Sequence, residues 1–483
     1  MNEEATALTN NPIVVDLDGT LIYTDMLHET ALAALIRAPL TAIKAPFMLA
    51  KGKAFLKQQL ALRAEFSPNL LPYNEDLLVW LKEQRLRGRS LILCTASDRA
   101  VADQISEHLG IFSDVMASDG TCNLAGKAKA DALVQRFGEA GYDYVGNSKA
   151  DLPVWSRARR AIVVNASDDL ITEAQKISVV DKIFPRRQGG LASWPRMMRV
   201  HQWLKNLLIF IPLFAAHELT NENNWVSLIL AFFAFSLCAS SVYIANDLLD
   251  LASDRIHPRK RKRPFASGMI TLWHGALLAP LLLVVSFVIA GFSGKSFLLC
   301  LVAYFILTCA YSWGLKRLVL IDCLTLAILY TLRIIAGSAA VHISLSFWLL
   351  AFSIFLFLSL SFVKRYAELE LQLLSGKGKL HGRGYLITDA PLIQTMGIAS
   401  GYASALVLSL YINSDAITKL YAEPEFIWGT VPVLLYWLNW MWVQAHRGKM
   451  HDDPLVFAVK DRASLAAGLV FVLIFVAGAI GVP

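Results

Sequence analysis

Two regimes of hydrophobic patterning divide the chain. Up to about residue 185, short apolar, β-branched runs alternate with stretches of helical periodicity. PIVVDLD, SLILCTA, YDYVGN and AIVVN each end in small or polar residues. Strands spaced by helices predict a parallel α/β sheet, with its site at the carboxyl ends of the strands. MLHETALAALI and FMLAKGKAFLKQQLA, between the first two strands, have helical periodicity and predict a small helical cap over about 25–75. PRRQGGLASWP (185–195) is a Gly/Pro-containing linker. Nine apolar spans follow, near 204–220, 225–245, 272–292, 295–312, 318–340, 344–363, 391–411, 425–445 and 463–482. Each approaches the ~20 residues needed to cross a bilayer. The expected fold is therefore multidomain: an α/β domain over 1–185, a linker over 186–198, and an all-α domain of nine transmembrane helices over 199–483.

Charge orients the spans. The connections after the second, fourth, sixth and eighth are rich in Lys and Arg, whereas the others hold only Lys295 and Lys419. By the positive-inside rule, the α/β domain and the basic loops are cytoplasmic and the C-terminus is outside. Composition agrees with a membrane protein. Of 483 residues, 55% are hydrophobic and only 17% charged, against about 25% in an average globular protein. The net charge of +7 lies entirely after Trp194, where it reads as topology and anionic ligands, with no nucleic-acid partner. Cys94, Cys122, Cys238, Cys300, Cys309 and Cys323 form no CxxC pair, which argues against a disulfide scaffold or a zinc site. MNEEATALTNN lacks the basic and apolar regions of a secretory signal.

The first chemical motif is Asp16-Leu17-Asp18-Gly19-Thr20, closing the first strand. Alternation along a strand sends residues 16 and 18 to the same side. One carboxylate can attack phosphorus, the other can protonate the leaving oxygen, and Mg²⁺ can shield the phosphate. A solvated Asp-Gly turn is the bland alternative. The motif has company, however, and residues 11–165 resemble the haloacid dehalogenase (HAD) superfamily of phosphohydrolases. The resemblance implies that Thr95, in LILCTAS, holds the phosphate. Lys129 in NLAGKAKADAL best matches the lysine motif, with Lys127 the runner-up. GNSKAD supplies the metal motif, where Asn147 stands in place of the usual aspartate and Asp151 is the clear acid. An amide oxygen can still ligate Mg²⁺, so the metal set is Asp16, Asp18, Asn147 and Asp151. A vestigial or regulatory domain is the alternative to an active phosphatase. Lys44, Lys51, Lys53 and Lys57, on the cap, are expected to face anionic lipid headgroups or solvent.

The second span ends in VYIANDLLDLASDRIHPRKRKRPFASG. If its helix continues, Asp247, Asp250 and Asp254 stack on one face beside Asn246. Three carboxylates repel one another unless a cation joins them, and oxygen ligands suit Mg²⁺, which shares substrate phosphates. Arg255, Arg259, Lys260, Arg261, Lys262 and Arg263 would surround an anion-rich pocket. The alternative is a polar helix end beside a topological anchor. Residues 196–483 resemble the UbiA superfamily of intramembrane prenyltransferases, whose first aspartate motif matches NDxxDxxxD at 246–254. RVHQWLKN, YSWGLKRLVLID, LRIIAGSAA and KRYAELE resemble one branch, the decaprenyl-phosphate phosphoribosyltransferases. The second DxxxD of the superfamily is absent and only Asp322 remains, with Tyr311 and Lys316 upstream.

This resemblance implies transfer of 5-phosphoribose from phosphoribosyl pyrophosphate (PRPP) to a polyprenyl phosphate at the cytoplasmic face of a bacterial inner membrane. Mg²⁺ on the aspartates would neutralise the departing diphosphate. Lys205, Asn206, Asn246, Arg255, Lys260, Arg263, Tyr311, Lys316, Asp322, Arg333, Lys364 and Arg365 are the expected substrate contacts. Arg333 lies within a span, where charge is costly and normally functional; its alternative is a structural partner for a buried carboxylate. The HAD domain would then remove the 5-phosphate, giving polyprenyl-phosphoryl ribose for cell-envelope or other glycoconjugates. Two other readings stand beside this one: prenyl transfer from an allylic diphosphate to a small acceptor, and a membrane scaffold or transporter carrying a regulatory HAD module. The sequence is compatible with a homo-oligomer.

Overall fold

The structure, a computed structural model, describes residues 11–38, 40–187, 190, 192–373, 383–414, 421, 423–450 and 453–480. The chain packs as two compact units, Met1–Met197 with Ile244–Leu278, and Met198–Tyr243 with Ala279–Pro483. The acid-rich segment after the second span thus packs in the same unit as the α/β domain.

In the first unit, six parallel strands form one sheet in the order β3-β2-β1-β4-β5-β6. They are β1 (Ile13–Val15), β2 (Leu91–Asp98), β3 (Asp114–Ser118), β4 (Asp143–Gly146), β5 (Arg160–Val164) and β6 (Val180–Phe184). The central strand β1 pairs Val14 with Ile92 on one side and with Tyr144 on the other. Alternation divides its side chains between two cores. Ile13 and Val15 pack with Leu77, Leu81, Val101 and Ile105, while Val14 packs with Leu133, Tyr144 and Trp155. Both faces are therefore covered by helices, as parallel sheets require. The four apolar runs are β1, β2, β4 and β5. The sequence reading did not single out the edge strands β3 and β6, whose DVMAS and VDKIF are largely half-buried or exposed. Strand order reverses about β1, so the ligand-binding crevice of such a sheet falls beyond the carboxyl end of β1.

The first three of the four α-helices between β1 and β2 are α1 (Met26–Arg37), α2 (Thr41–Ala50) and α3 (Lys53–Ala61). Asp25 starts α1, its side chain accepting from Leu27 N at 2.8 Å. After them, α4 (Glu75–Leu86) and α5 (Arg99–Leu109) cover one face of the sheet, and α6 (Gly126–Phe137) and α7 (Asp168–Ile177) the other. The segment 244–278 adds a short helix, Leu251–Ile256, and a loop whose Gly268 sits at φ +73°. A Cβ there would lie 2.5 Å from the carbonyl oxygen of Tyr23. Glycine thus lets this loop close directly on the turn that follows the DxDGT motif.

Among the described residues, eight helices are long and apolar enough to cross a membrane. They are α8 (Glu222–Leu249), α9 (Leu272–Phe292), α10 (Lys295–Trp313), α11 (Ile321–Val341), α12 (Phe347–Leu373), α13 (Ala390–Ile412), α14 (Thr430–His446) and α15 (Arg462–Ile480). The chain is a multi-pass membrane protein. The first of the nine expected spans is different: it is a 3₁₀ stretch, Val200–Phe210, followed by a short helix, Ile211–Ala215. Pro212 lies at the start of that helix, where a missing N–H is tolerated. Lys205 and Asn206 are buried in the 3₁₀ stretch, so this segment serves polar partners as well as apolar packing. Within the second unit, Tyr330, Phe357, Tyr366 and Trp442 centre one apolar cluster and Phe235, Phe297 and Tyr304 another. Leu277, Leu281, Val284, Val288 and Phe292 of α9 remain exposed, the pattern of a lipid-facing stripe.

Candidate active site

The crevice at the carboxyl end of β1 gathers the motif resembling the HAD pattern. Asp16 follows β1, and its main-chain N–H donates to Val145 O on β4 at 3.0 Å. Lys129, buried on α6, donates to Asp16 Oδ1 at 2.7 Å and to Tyr144 Oη at 3.0 Å. Lys127 is exposed, so of the two lysines it is Lys129 that meets the carboxylate. Asp18 is held differently: Met26 N donates to Oδ1 at 2.8 Å and Ser97 Oγ to Oδ2 at 2.7 Å. Thr95 is fully buried on β2 and its Oγ1 accepts from Ser97 N at 3.0 Å. Asp151 accepts from Tyr144 Oη at 2.8 Å and, on Oδ2, from Asn147 N, Ser148 N and Ser148 Oγ at 3.0 Å each. It thereby fixes the loop after β4. The Asn147 side chain faces Gly19, which has φ +74°, and a Cβ at residue 19 would lie 2.1 Å from Asn147 Nδ2.

Electrostatics differ between the two acids. Burial pushes the Asp16 carboxyl up to about 6, with Lys129 pulling it back down. Burial, then the charges of Asp25 and Asp16, push Asp18 up to about 7. An acid that keeps its proton near neutrality beside one that gives it up more readily is the arrangement acid–base chemistry needs. Lys57 does not point to the bilayer surface. Its Nζ donates to Ala96 O at 2.6 Å and Asn123 Oδ1 at 3.3 Å, turning it into the same crevice.

Among the described residues, no three His, Cys, Asp or Glu side chains converge as a ready metal cluster. The oxygens offered by Asp16 and the Asn147 amide nevertheless suit Mg²⁺, which binds through one or two carboxylates and completes its shell with water and substrate phosphate.

The acid-rich segment belongs to the same unit. Leu249 ends α8 and Leu251 begins the next helix, yet the i→i−4 ladder carries on, with Asp250 N bonding Asn246 O at 2.8 Å and Asp254 N bonding Asp250 O at 2.9 Å. Asp247 and Asp254 are buried and Asp250 half-buried. Arg263 Nη1 joins the two buried acids, 3.0 Å from Asp247 Oδ1 and 2.6 Å from Asp254 Oδ2. Asp254 Oδ1 is buried with no hydrogen-bond donor, and Lys260 Nζ lies 3.9 Å from it. An orphaned carboxylate oxygen in an oxygen-rich segment fits a cation. Arg255 is committed elsewhere: its guanidinium grips Glu29 of α1, Nη2 to Oε1 at 2.6 Å and Nη1 to Oε2 at 3.1 Å. Glu29 also accepts from Thr24 Oγ1 at 2.7 Å. This fork braces the cap against the acid-rich segment, a role the sequence did not suggest for Arg255.

The second unit holds a separate polar network. Lys205 Nζ and Lys364 Nζ lie 2.8 and 3.2 Å from Asp453 Oδ2, and Tyr330 Oη donates to the same carboxylate at 2.9 Å. Burial opposes the Asp453 charge, but the two lysines outweigh it and hold the carboxyl well below its ordinary range. Arg333 donates through Nε to Asn206 Oδ1 at 2.8 Å and through Nη2 to Tyr304 Oη at 3.1 Å. It stacks over Tyr304 and Tyr330, with centroids 4.9 and 5.5 Å away. Its partners are an amide, a carbonyl and phenols, not the buried carboxylate of the structural alternative. Asp322 is fully buried and faces Arg365 Nη2 at 2.6 Å and Arg383 Nη1 at 3.3 Å, with Tyr385 Oη also bonded to it. Arg383 reaches Tyr311 Oη at 3.2 Å. Lys316 sits half-buried in the turn Leu315–Arg317. Asp453, Tyr330, Tyr304, Arg383 and Tyr385 escaped the sequence reading. The one available signal was Asp453 itself, an acid before a proline in the connection between the last two spans.

The UbiA prenyltransferase family model matches residues 207–460. An uncharacterised Sinorhizobium fredii protein is 36% identical over 467 residues, which cover 96% of this chain and 90% of that protein. A Mycobacterium tuberculosis decaprenyl-phosphate phosphoribosyltransferase is 36% identical over 273 residues, or 55% of this chain and 87% of that enzyme. A solved UbiA homologue from Archaeoglobus fulgidus, bound to GPP and Mg²⁺, is 15% identical and covers 59% of this chain and 98% of its own, with a TM-score of 0.45. With more than half its length matched by the family model and nearly all of it by a full-length relative, this chain belongs to the UbiA prenyltransferase family.

Proposed function

We propose that the membrane domain transfers 5-phosphoribose from PRPP to a polyprenyl phosphate, and that the α/β domain then removes the 5-phosphate. The observation that carries the first step is the state of Asp322. It stands where the superfamily's second aspartate motif is reduced to a single acid, and it holds two guanidinium groups, Arg365 and Arg383. A carboxylate so engaged supports anion binding rather than a second metal site. Likeness to decaprenyl-phosphate phosphoribosyltransferases supports the substrate pair.

In this reading, the bond from ribose C1 to the diphosphate breaks, a bond from C1 to a lipid phosphate oxygen forms, and diphosphate leaves. The lipid phosphate is already anionic and needs no base. Asp247, Asp250 and Asp254 take the diphosphate end of PRPP, and Arg333, Lys205 and Lys364 supply positive charge of the kind a lipid phosphate needs. Bound there, Mg²⁺ would neutralise charge on the departing diphosphate.

In the α/β domain, Asp16 attacks phosphorus while Asp18 protonates the leaving ribose oxygen. Lys129 steadies the Asp16 carboxylate and the transferred phosphoryl group. Water then attacks the aspartyl phosphate, Asp18 takes its proton, and inorganic phosphate departs. Asp16 and the Asn147 amide oxygen would hold Mg²⁺ here. Asp151 positions Asn147 through the loop it caps.

By this account the acid-rich segment and the α/β domain face the cytoplasm. The test is product analysis in the Asp16→Asn variant, which should accumulate lipid still carrying the 5-phosphate. The same dephosphorylated product from that variant would sink the second step.

A further inference from the structure

We infer that the mouth of the Asp16 cavity is a second anion subsite with an apolar wall, which selects phosphomonoesters that also carry a phosphodiester linked to an apolar chain. The inference rests on the phosphatase reading above and adds the subsite that recognises the rest of its substrate. The cavity measures about 1110 Å³, beyond the upper end of ordinary small-molecule pockets (about 300–1,000 Å³). That volume leaves room for more than a small sugar phosphate.

The lining includes Asp16, Asp18 and Lys129, and Lys53, Lys57, Arg186 and Arg187 add four further cations. Trp194, Met269 and Ile270 add apolar surface. These last residues come from the linker and from the loop that follows the acid-rich segment, so the transferase motif's own continuation walls the phosphatase cavity. The wall is built in. Gly268 closes on Tyr23 as described, and Arg187 Nη1 donates to Ser267 O at 3.0 Å. Arg187 also stacks over the Tyr23 ring at 4.8 Å, and its main-chain N–H donates to Asn165 Oδ1 at 3.2 Å. Asn165 Nδ2 in turn reaches Gly19 O at 3.4 Å, within the DxDGT turn.

Arg187 is therefore held in register with the reacting carboxylates while its side chain stays exposed in the cavity lining. A guanidinium has five donors in a planar fork that matches a phosphate, and one of them is used on Ser267. The specificity-determining residue of this subsite is Arg187.

The experiment uses the full chain in detergent with Mg²⁺ and compares three substrates by phosphate release. These are ribose 5-phosphate, PRPP, and a phosphoribosyl lipid made with a short polyprenyl phosphate. Wild type should favour the phosphoribosyl lipid in kcat/KM over both others. Arg187→Gln, which keeps a polar side chain but loses the charge, should cut the ratio of lipid to ribose 5-phosphate by about 10- to 100-fold, the range for a charge-assisted hydrogen bond. A ratio unchanged in Arg187→Gln but lost in Arg187→Ala would make the residue a brace only and overturn the subsite. Equal kcat/KM on PRPP and the lipid would overturn the apolar wall. Absence of Asp16-dependent phosphate release from all three substrates, the phosphoribosyl lipid included, would instead refute the phosphatase reading itself, a result distinct from either.

Discussion

Asp453 carries the strongest test of the second unit's design. It is buried, with side-chain exposure of 5%, and one of its oxygens serves both Lys205 and Lys364. Asp453→Asn keeps the shape and an acceptor for Tyr330, but leaves two ammonium groups without a counter-charge. Two unit charges 4 Å apart interact by about 4 kcal/mol at an effective dielectric of 20, and breaking a buried pair typically costs ~3–5 kcal/mol. The Lys364 side chain is 26% exposed, so solvent screens part of its share, and about 3 kcal/mol is the expected loss. At roughly 2–4 °C per kcal/mol for domains of 150–250 residues, the melting temperature in detergent should fall by at least roughly 5 °C. Pairing it with Lys205→Met in a double-mutant cycle should give a coupling of about 2 kcal/mol. Because the carboxyl is held below its usual range, this stabilisation is fully present above about pH 4, the ordinary aspartate value, and is lost only as pH falls through the lowered folded-state value. A melting temperature within 1 °C of wild type (roughly 0.5 kcal/mol or less), with an additive cycle, would refute the reasoning.

Other outcomes follow from the same geometry. Hydrolysis of ribose 5-phosphate should rise from acid pH as Asp16 deprotonates near 6 and fall again as Asp18 loses its proton near 7. Raising Mg²⁺ should move the acid limb to lower pH and leave the alkaline limb in place, because the metal competes with the Asp16 proton; a profile whose two limbs move together would contradict the separate roles. Glu29→Gln breaks the buried fork to Arg255 and should lower phosphoribosyl transfer even in an Asp16→Asn background, where hydrolysis cannot contribute; transfer at the wild-type rate there would show the brace to be idle. Arg333→Lys should lose at least 10-fold in transfer, since an ammonium cannot reach Asn206 and Tyr304 in one plane or stack between two rings; full activity would return Arg333 to a mere point charge.

Much of this architecture was legible because it is written in local patterns. β1, β2, β4 and β5 are continuous apolar runs, as strands buried on both faces must be. The edge strands were not, because DVMAS and VDKIF mix polar and apolar residues on half-exposed edges. The segment near 204–220 reads as a span by composition, yet Lys205 and Asn206 turn inward to Asp453 and to Arg333 and Ser236, so it forms a 3₁₀ stretch and a short helix instead. Asp16 and Lys129 stand 113 positions apart, and a spaced motif still anticipated their meeting. No spacing rule joins Lys205 to Asp453, 248 positions on, or Arg255 to Glu29, 226 positions back. Such pairs are set by which elements pack together, and a single acid carries no period to announce its partner.

The most direct measurement incubates the purified full chain with Mg²⁺, PRPP and a polyprenyl phosphate, and follows the lipid by mass spectrometry. The account expects a lipid that has gained ribose from the wild type, and one that has gained phosphoribose from Asp16→Asn. No lipid product with PRPP, together with turnover of an allylic diphosphate and a small acceptor, would contradict it and return the membrane domain to ordinary prenyl transfer.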